Sequence, residues 1–121
     1  MRVLDGEQRM VRIFIGESDK WHHQPLSRAL IGRLRQEGFA GATLFRAMAG
    51  FGAKSILHTA DLLRLSEDLP LVIEVVDTEE QIQRLIPIVD EMVPEGLVTI
   101  ETVRVIKYAP RGQRATPSAS G

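Results

Sequence analysis

Several groups of residues in this chain have the types and spacing to do chemistry. Gly50-Phe51-Gly52, with Lys54 just beyond, can turn backbone N–H groups toward an anion, because glycine permits close approach and lysine adds charge. The same run suits a plain glycine turn over a buried Phe51, with Lys54 solvated. His22-His23, near Glu17 and Asp19, are metal-ligand types. Adjacent histidines seldom both reach one ion, so solvated loop residues are the simpler reading. His58 precedes Thr59, with Asp61, Glu67 and Asp68 nearby in sequence. It suits a hydrogen-bonded structural histidine as well as a ligand or interface role. Nothing selects those carboxylates for acid–base work. The chain shows no nucleophile elbow and no Walker lysine motif, so it reads as a binding protein and not a catalyst.

The remaining cations, Arg46 and Arg104, fall in segments patterned as strands. A buried unpaired charge is costly there, so each is expected to meet a carboxylate, a partner subunit or a ligand. Arg104 and Lys107 lie an odd number of residues apart, and a regular strand would send them to opposite faces.

The elements that must position these residues follow from hydrophobic periodicity. Arg9–Ile15 alternates, with Val11, Ile13 and Ile15 on one face, and predicts a strand. Pro25 is suited to the first position of a helix carrying Leu26, Ala29, Leu30 and Leu34, which Gly38 ends. Ala42–Met48 and Leu71–Val76 predict two further strands. Thr78 and Gln81 form a capping box for a second helix with a stripe of Ile82, Leu85, Ile86, Val89 and Met92-Val93, and Pro87 inside it. Leu97–Tyr108 predicts a last strand whose apolar parity switches, which a bulge near Glu101-Thr102 would explain. The order β-α-β-β-α-β is the ferredoxin-like arrangement, an α+β sandwich with a four-stranded antiparallel sheet and both helices on one face. Between the second and third strands lies an overlong connection, Ala49 to Pro70; such ordered connections in small domains are usually functional.

The folded unit is expected over residues 9–110, with 1–8 flexible and 111–121 a disordered tail of small polar residues. The length of 121 residues points to one domain. Lysine and arginine number 15 against 16 acids, so no global field holds a polyanion or an anionic membrane, and no apolar run is long enough to insert in a bilayer. Absence of cysteine excludes disulfides and thiolate sites and fits a cytoplasmic setting.

The blocks Gly41-Ala42-Thr43, Ala49-Gly50-Phe51-Gly52-Ala53-Lys54, Ile56-Leu57-His58-Thr59-Ala60 and Leu65-Ser66-Glu67-Asp68-Leu69-Pro70 resemble, in order, the DUF190 family of small PII-like proteins. Arg12 to Asp19 and Glu95 to Thr99 are similar to its flanking blocks. The resemblance implies a ferredoxin-like homotrimer that binds a small anionic ligand, an adenine nucleotide as the effector, in clefts between subunits. It implies a response through residues 50–69 to a protein target. Gly50-Phe51-Gly52 matches the PII run that approaches the phosphates, Thr43 the threonine that contacts the base, and Lys107 the position of a phosphate-binding arginine beside Arg104. Lys54 and His58, candidates by their own chemistry, join these as ligand-binding residues. The glycine- and lysine-rich PII loop after the second helix is shortened here to Pro94-Glu95-Gly96, and the last PII phosphate arginine falls on Ala109. Two other readings stay open: an adaptor trimer without a small ligand, and a metal- or ion-responsive regulator.

Overall fold

The computed structural model describes residues 4–50 and 68–110. Its elements are β1 (Gly6–Gly16), β2 (Lys20–Trp21), β3 (Gln24–Pro25), α1 (Leu26–Gln36), β4 (Thr43–Arg46), β5 (Pro70–Asp77), α2 (Glu79–Met92) and β6 (Leu97–Val105). The main sheet has the order β4-β5-β1-β6, and every neighbouring pair is antiparallel. This is the expected ferredoxin-like topology with one addition, the small β2–β3 hairpin before α1.

Strand periodicity builds the core. Val11, Ile13 and Ile15 of β1 lie beside Val75, Ile73 and Leu71 of β5, and these side chains share one face. Leu26, Leu30 and Leu34 of α1 and Ile82, Leu85, Ile88, Val89 and Met92 of α2 close over that face. Among the described residues no helix lies over the opposite face. Across it Phe45, Val72, Phe14 and Leu97 form one row, and Thr43, Glu74, Arg12 and Thr99 the next.

Local chemistry sets the helix ends. The N–H of Phe39 donates to the Leu34 carbonyl and that of Gly38 to the Arg35 carbonyl, the two bonds of a Schellman motif. Gly38 takes the left-handed conformation this requires, at φ +84°. At the start of α2, Thr78 Oγ1 accepts from the Gln81 N–H at 3.2 Å. The reciprocal half of the box is replaced: Thr78 N–H donates to Asp77 Oδ1 at 2.8 Å, and the Gln81 side chain reaches the Gly38 carbonyl instead.

Several expectations are corrected. β1 begins at Gly6, inside the segment expected to be flexible, because Gly6 to Gln8 pair with Val105 to Val103. Pro25 is the N-cap of α1 and not its first helical residue. β4 is shorter than the segment Ala42–Met48. β6 carries no bulge, and its register with β1 is unbroken from Gly6–Val105 to Phe14–Leu97. Its parity switch has another origin: Val98 and Ile100 face the helix side, whereas Val103 and Val105 face an open side that is itself partly apolar. In α2, Ile88 is buried and Ile86 is 40% exposed, since among the described residues no third helix covers the flank toward β6. The tail 111–121 lies outside the described residues.

Candidate functional site

The segment leading from α1 into β4 is held from below by a carboxylate. Asp77, fully buried at the end of β5, accepts from the Ala40 N–H at 2.9 Å as well as from Thr78. A buried charge is tolerated only when it is hydrogen-bonded, and these two donors, one before β4 and one at the start of α2, supply that. Arg84 of α2 braces the same turn, donating to the carbonyl and carboxylate of Glu37 and lying 5.4 Å from the Phe39 ring centre.

Above this support, on the open face, lies a cleft of about 360 Å³. Gly41 and Thr43 form one wall, Glu74 and Val76 the floor, and Val105 and Tyr108 the far side. The lining combines aliphatic surface and an aromatic ring with a hydroxyl and a carboxylate. Glu74 is oriented by Arg12, whose Nε donates to Oε2 at 2.9 Å while its Nη1 reaches Glu101 at 3.2 Å. The hydrogen bond to Glu74 is the main cause that raises the Arg12 guanidinium above its ordinary value. Arg12 is therefore occupied by carboxylates, and the described residues that line the cleft present acceptors to a ligand and no cation. Chemically, it suits a flat, mostly apolar group with a donor edge.

A second cluster ties the roots of the long connection to the turn after β1. Arg46 grips Glu17 in bidentate fashion, Nε to Oε2 at 2.7 Å and Nη2 to Oε1 at 3.0 Å. This bond is the leading cause that lowers the Glu17 carboxyl below its ordinary value. Ser18 N–H donates to Asp68 at 2.8 Å, Glu17 N–H to the Leu69 carbonyl at 3.0 Å, and Ala47 N–H to the Pro70 carbonyl at 2.9 Å. Arg46 thus meets a carboxylate, as expected of a strand arginine.

Of the residues singled out in the sequence, Thr43 lines the cleft. Gly50 lies at the root of the connection with φ +154°, where an added Cβ would stand 3.2 Å from Pro70 Cγ. Phe51, Gly52, Lys54 and His58 fall outside the described residues. Arg104 is exposed on β6 in register with Glu7, on the helix side of the sheet and so on the face opposite Thr43. Lys107 is exposed beyond the end of β6, where strand alternation no longer fixes its direction. Within one chain the structure does not bring Arg104 to the Thr43 cleft. His22 and His23 form the tip of the β2–β3 hairpin, both at positive φ (48° and 71°), the geometry of a type I′ turn. Among the described residues no group of three or more histidine, aspartate or glutamate side chains could hold a metal ion. Sequence reasoning missed Glu74 and Tyr108. The β4–β5 register, pairing Thr43 with Glu74, is the signal that could have found the first.

This sheet with its two helices is the fold of the PII-like proteins. A structure of CPII bound to ADP and bicarbonate, from Thiomonas intermedia, superposes with a TM-score of 0.62 at 16% identity, covering 84% of this chain and 90% of that one. A protein of Thermus thermophilus described as PII-like signaling gives a TM-score of 0.57 at 20% identity, covering 86% and 94%. In sequence, a UPF0166 protein of Aquifex aeolicus is 36% identical over 106 residues, 88% of this chain and 98% of that protein. A UPF0166 protein of Methanocaldococcus jannaschii is 33% identical over 100 residues, 82% and 92%. The DUF190 model, described as uncharacterized ACR, COG1993, matches residues 8–105, and the chain belongs to that family. Among the described residues no helix is long and apolar enough to cross a membrane.

Proposed function

We propose that this chain is a PII-like regulatory subunit that binds an adenine nucleotide, its base in the Thr43 cleft, and that it works in the cytoplasm as a homotrimer without catalysing a reaction. The observation that carries this reading is the position of Thr43. The residue that resembles the base-contacting threonine of PII proteins opens into the cleft beside Glu74. A hydroxyl and a carboxylate on an apolar floor can take the exocyclic amine and ring face of a purine. ADP in the Thiomonas protein of like fold supports the ligand class.

Phosphates require cations, and among the described residues none lines the cleft. The reading therefore gives them to Lys107 and Arg104 of a neighbouring copy, together with Gly50-Phe51-Gly52 and Lys54. The open sheet face, where Phe45 is 49% and Leu97 57% exposed, supports assembly through that face. A protein target would meet residues 50–69, whose far root is anchored by Leu69 at Glu17 and by Asp68 at Ser18.

Calorimetric titration of the full chain with ADP, ATP and AMP tests the proposal, alongside sedimentation to count copies. Saturable binding is expected, weakened about 3- to 10-fold by Thr43→Val, the effect of one lost hydrogen bond. No heat with any of the three nucleotides, or binding indifferent to Thr43→Val, refutes it.

A further inference from the structure

On the helix side of the sheet, away from the Thr43 cleft, a second groove of about 340 Å³ runs between α2 and β6. Ile86 and Val89 line it from the helix, Val98 and Ile100 from the strand, and Asp90 stands on its rim. Ile86, Val98 and Ile100 remain 39–48% exposed. We propose that this groove receives an extended, cationic peptide segment of a partner protein, which adds to β6 as a fifth strand.

Three observations converge on that occupant. First, β6 is an edge strand of nine residues in unbroken register. Natural edges are usually shortened, bulged, or guarded by proline or inward charge; Val98 and Ile100, which line the groove, carry no charge, and the helix-side cation of β6, Arg104, lies beyond them in register with Glu7. No described strand pairs with its outward N–H and C=O groups, which an incoming strand can take. Second, side chains of an added strand alternate, so every second one would drop into the apolar groove beside Ile100 while the others stay in water. Third, the charge at the groove is unbalanced. The last turn of α2 has no basic residue and carries Asp90 and Glu91 at the negative end of the helix dipole. Glu91 is reached by Arg33 at 3.4 Å, whereas Asp90 has no partner among the described residues. A lysine or arginine on the incoming strand supplies the charge that this helix end lacks.

The test uses the full chain and two fluorescein-labelled octapeptides of alternating valine and threonine, one with a central lysine and one with a central glutamate. Fluorescence anisotropy should show the lysine peptide binding about fivefold or more tightly than the glutamate peptide. Asp90→Lys should reverse that order. Ile100→Asp should abolish binding without lowering the melting temperature, because Ile100 is half exposed. Failure of both peptides to bind, equal affinity for the two, or an unchanged order in Asp90→Lys overturns the proposal. So does an assembly that Ile100→Asp dissociates, since the groove would then be a contact between copies. Nucleotide binding is not required, and the two proposals stand or fall separately.

Discussion

Asp77 offers a quantitative test of how the Thr43 cleft is supported. Its carboxylate is fully buried and accepts from the backbone of Ala40 and of Thr78. Hydrogen bonds to a charged group contribute about 1.5–3 kcal/mol each. Asp77→Ala removes both and leaves two donors without their acceptor at the junction of β5 and α2. The loss is expected at about 3–5 kcal/mol, a large share of the stability of a small domain. With a urea slope of about 1.5 kcal/mol per molar, the midpoint should fall by about 2–3 M at fixed protein concentration. Asp77→Asn keeps an acceptor oxygen and should lose about half as much. At urea concentrations where the variant is still folded, the wall made by residues 40–43 should be looser and ADP affinity lower. A midpoint shift below about 0.5 M for Asp77→Ala would refute the claim that this carboxylate secures the wall.

Other consequences follow from single contacts. The folded Glu17 carboxyl is depressed below its ordinary value of 4.5 by Arg46, so the pair stabilises the fold above that pH and the contribution disappears as pH falls through the lowered value. Glu17→Gln should therefore lower the melting temperature at pH 7, and the difference should vanish on acidification. Gly96→Ala should destabilise the chain by about 1–3 kcal/mol in calorimetry, because the new Cβ would stand 2.6 Å from the Phe14 carbonyl oxygen at φ +154°. Replacing His22-His23 by Asn-Gly should raise stability by about 0.5–1 kcal/mol, since both positions hold the positive φ of a type I′ turn. A lower melting temperature for that variant would mean that the ring stacking of Trp21 on His22, at 4.4 Å, outweighs the backbone cost.

The sheet and helices are legible in the sequence because their periods are strong. Alternation in β1 and β5 and the stripe of Leu26, Leu30 and Leu34 follow directly from one-sided burial. What stays hidden depends on tertiary neighbours. The β2–β3 hairpin has two-residue strands and a turn of two histidines, so it offers neither a run to count nor the Asn-Gly that marks such turns. The parity switch in β6 suggests a bulge only if the open sheet face is polar. Phe45, Val72 and Leu97 show that it is partly apolar. Ile86 falls in the apolar stripe of α2 yet outside the core, because helical spacing cannot tell a covered flank from an uncovered one. Thr43 is found through resemblance and lies in the cleft. Glu74, its cross-strand neighbour, requires the register. Arg104 shows the limit of motif matching: it lies near Lys107 in sequence, yet on the face opposite Thr43 in one chain.

A crystal structure of the assembled protein with ADP tests the central claim most directly. The account predicts the adenine against Thr43 and Glu74 on the open face of the sheet, with Lys107 of an adjacent copy at the phosphates. A nucleotide seated elsewhere, or an empty Thr43 cleft at saturating ADP, would contradict it.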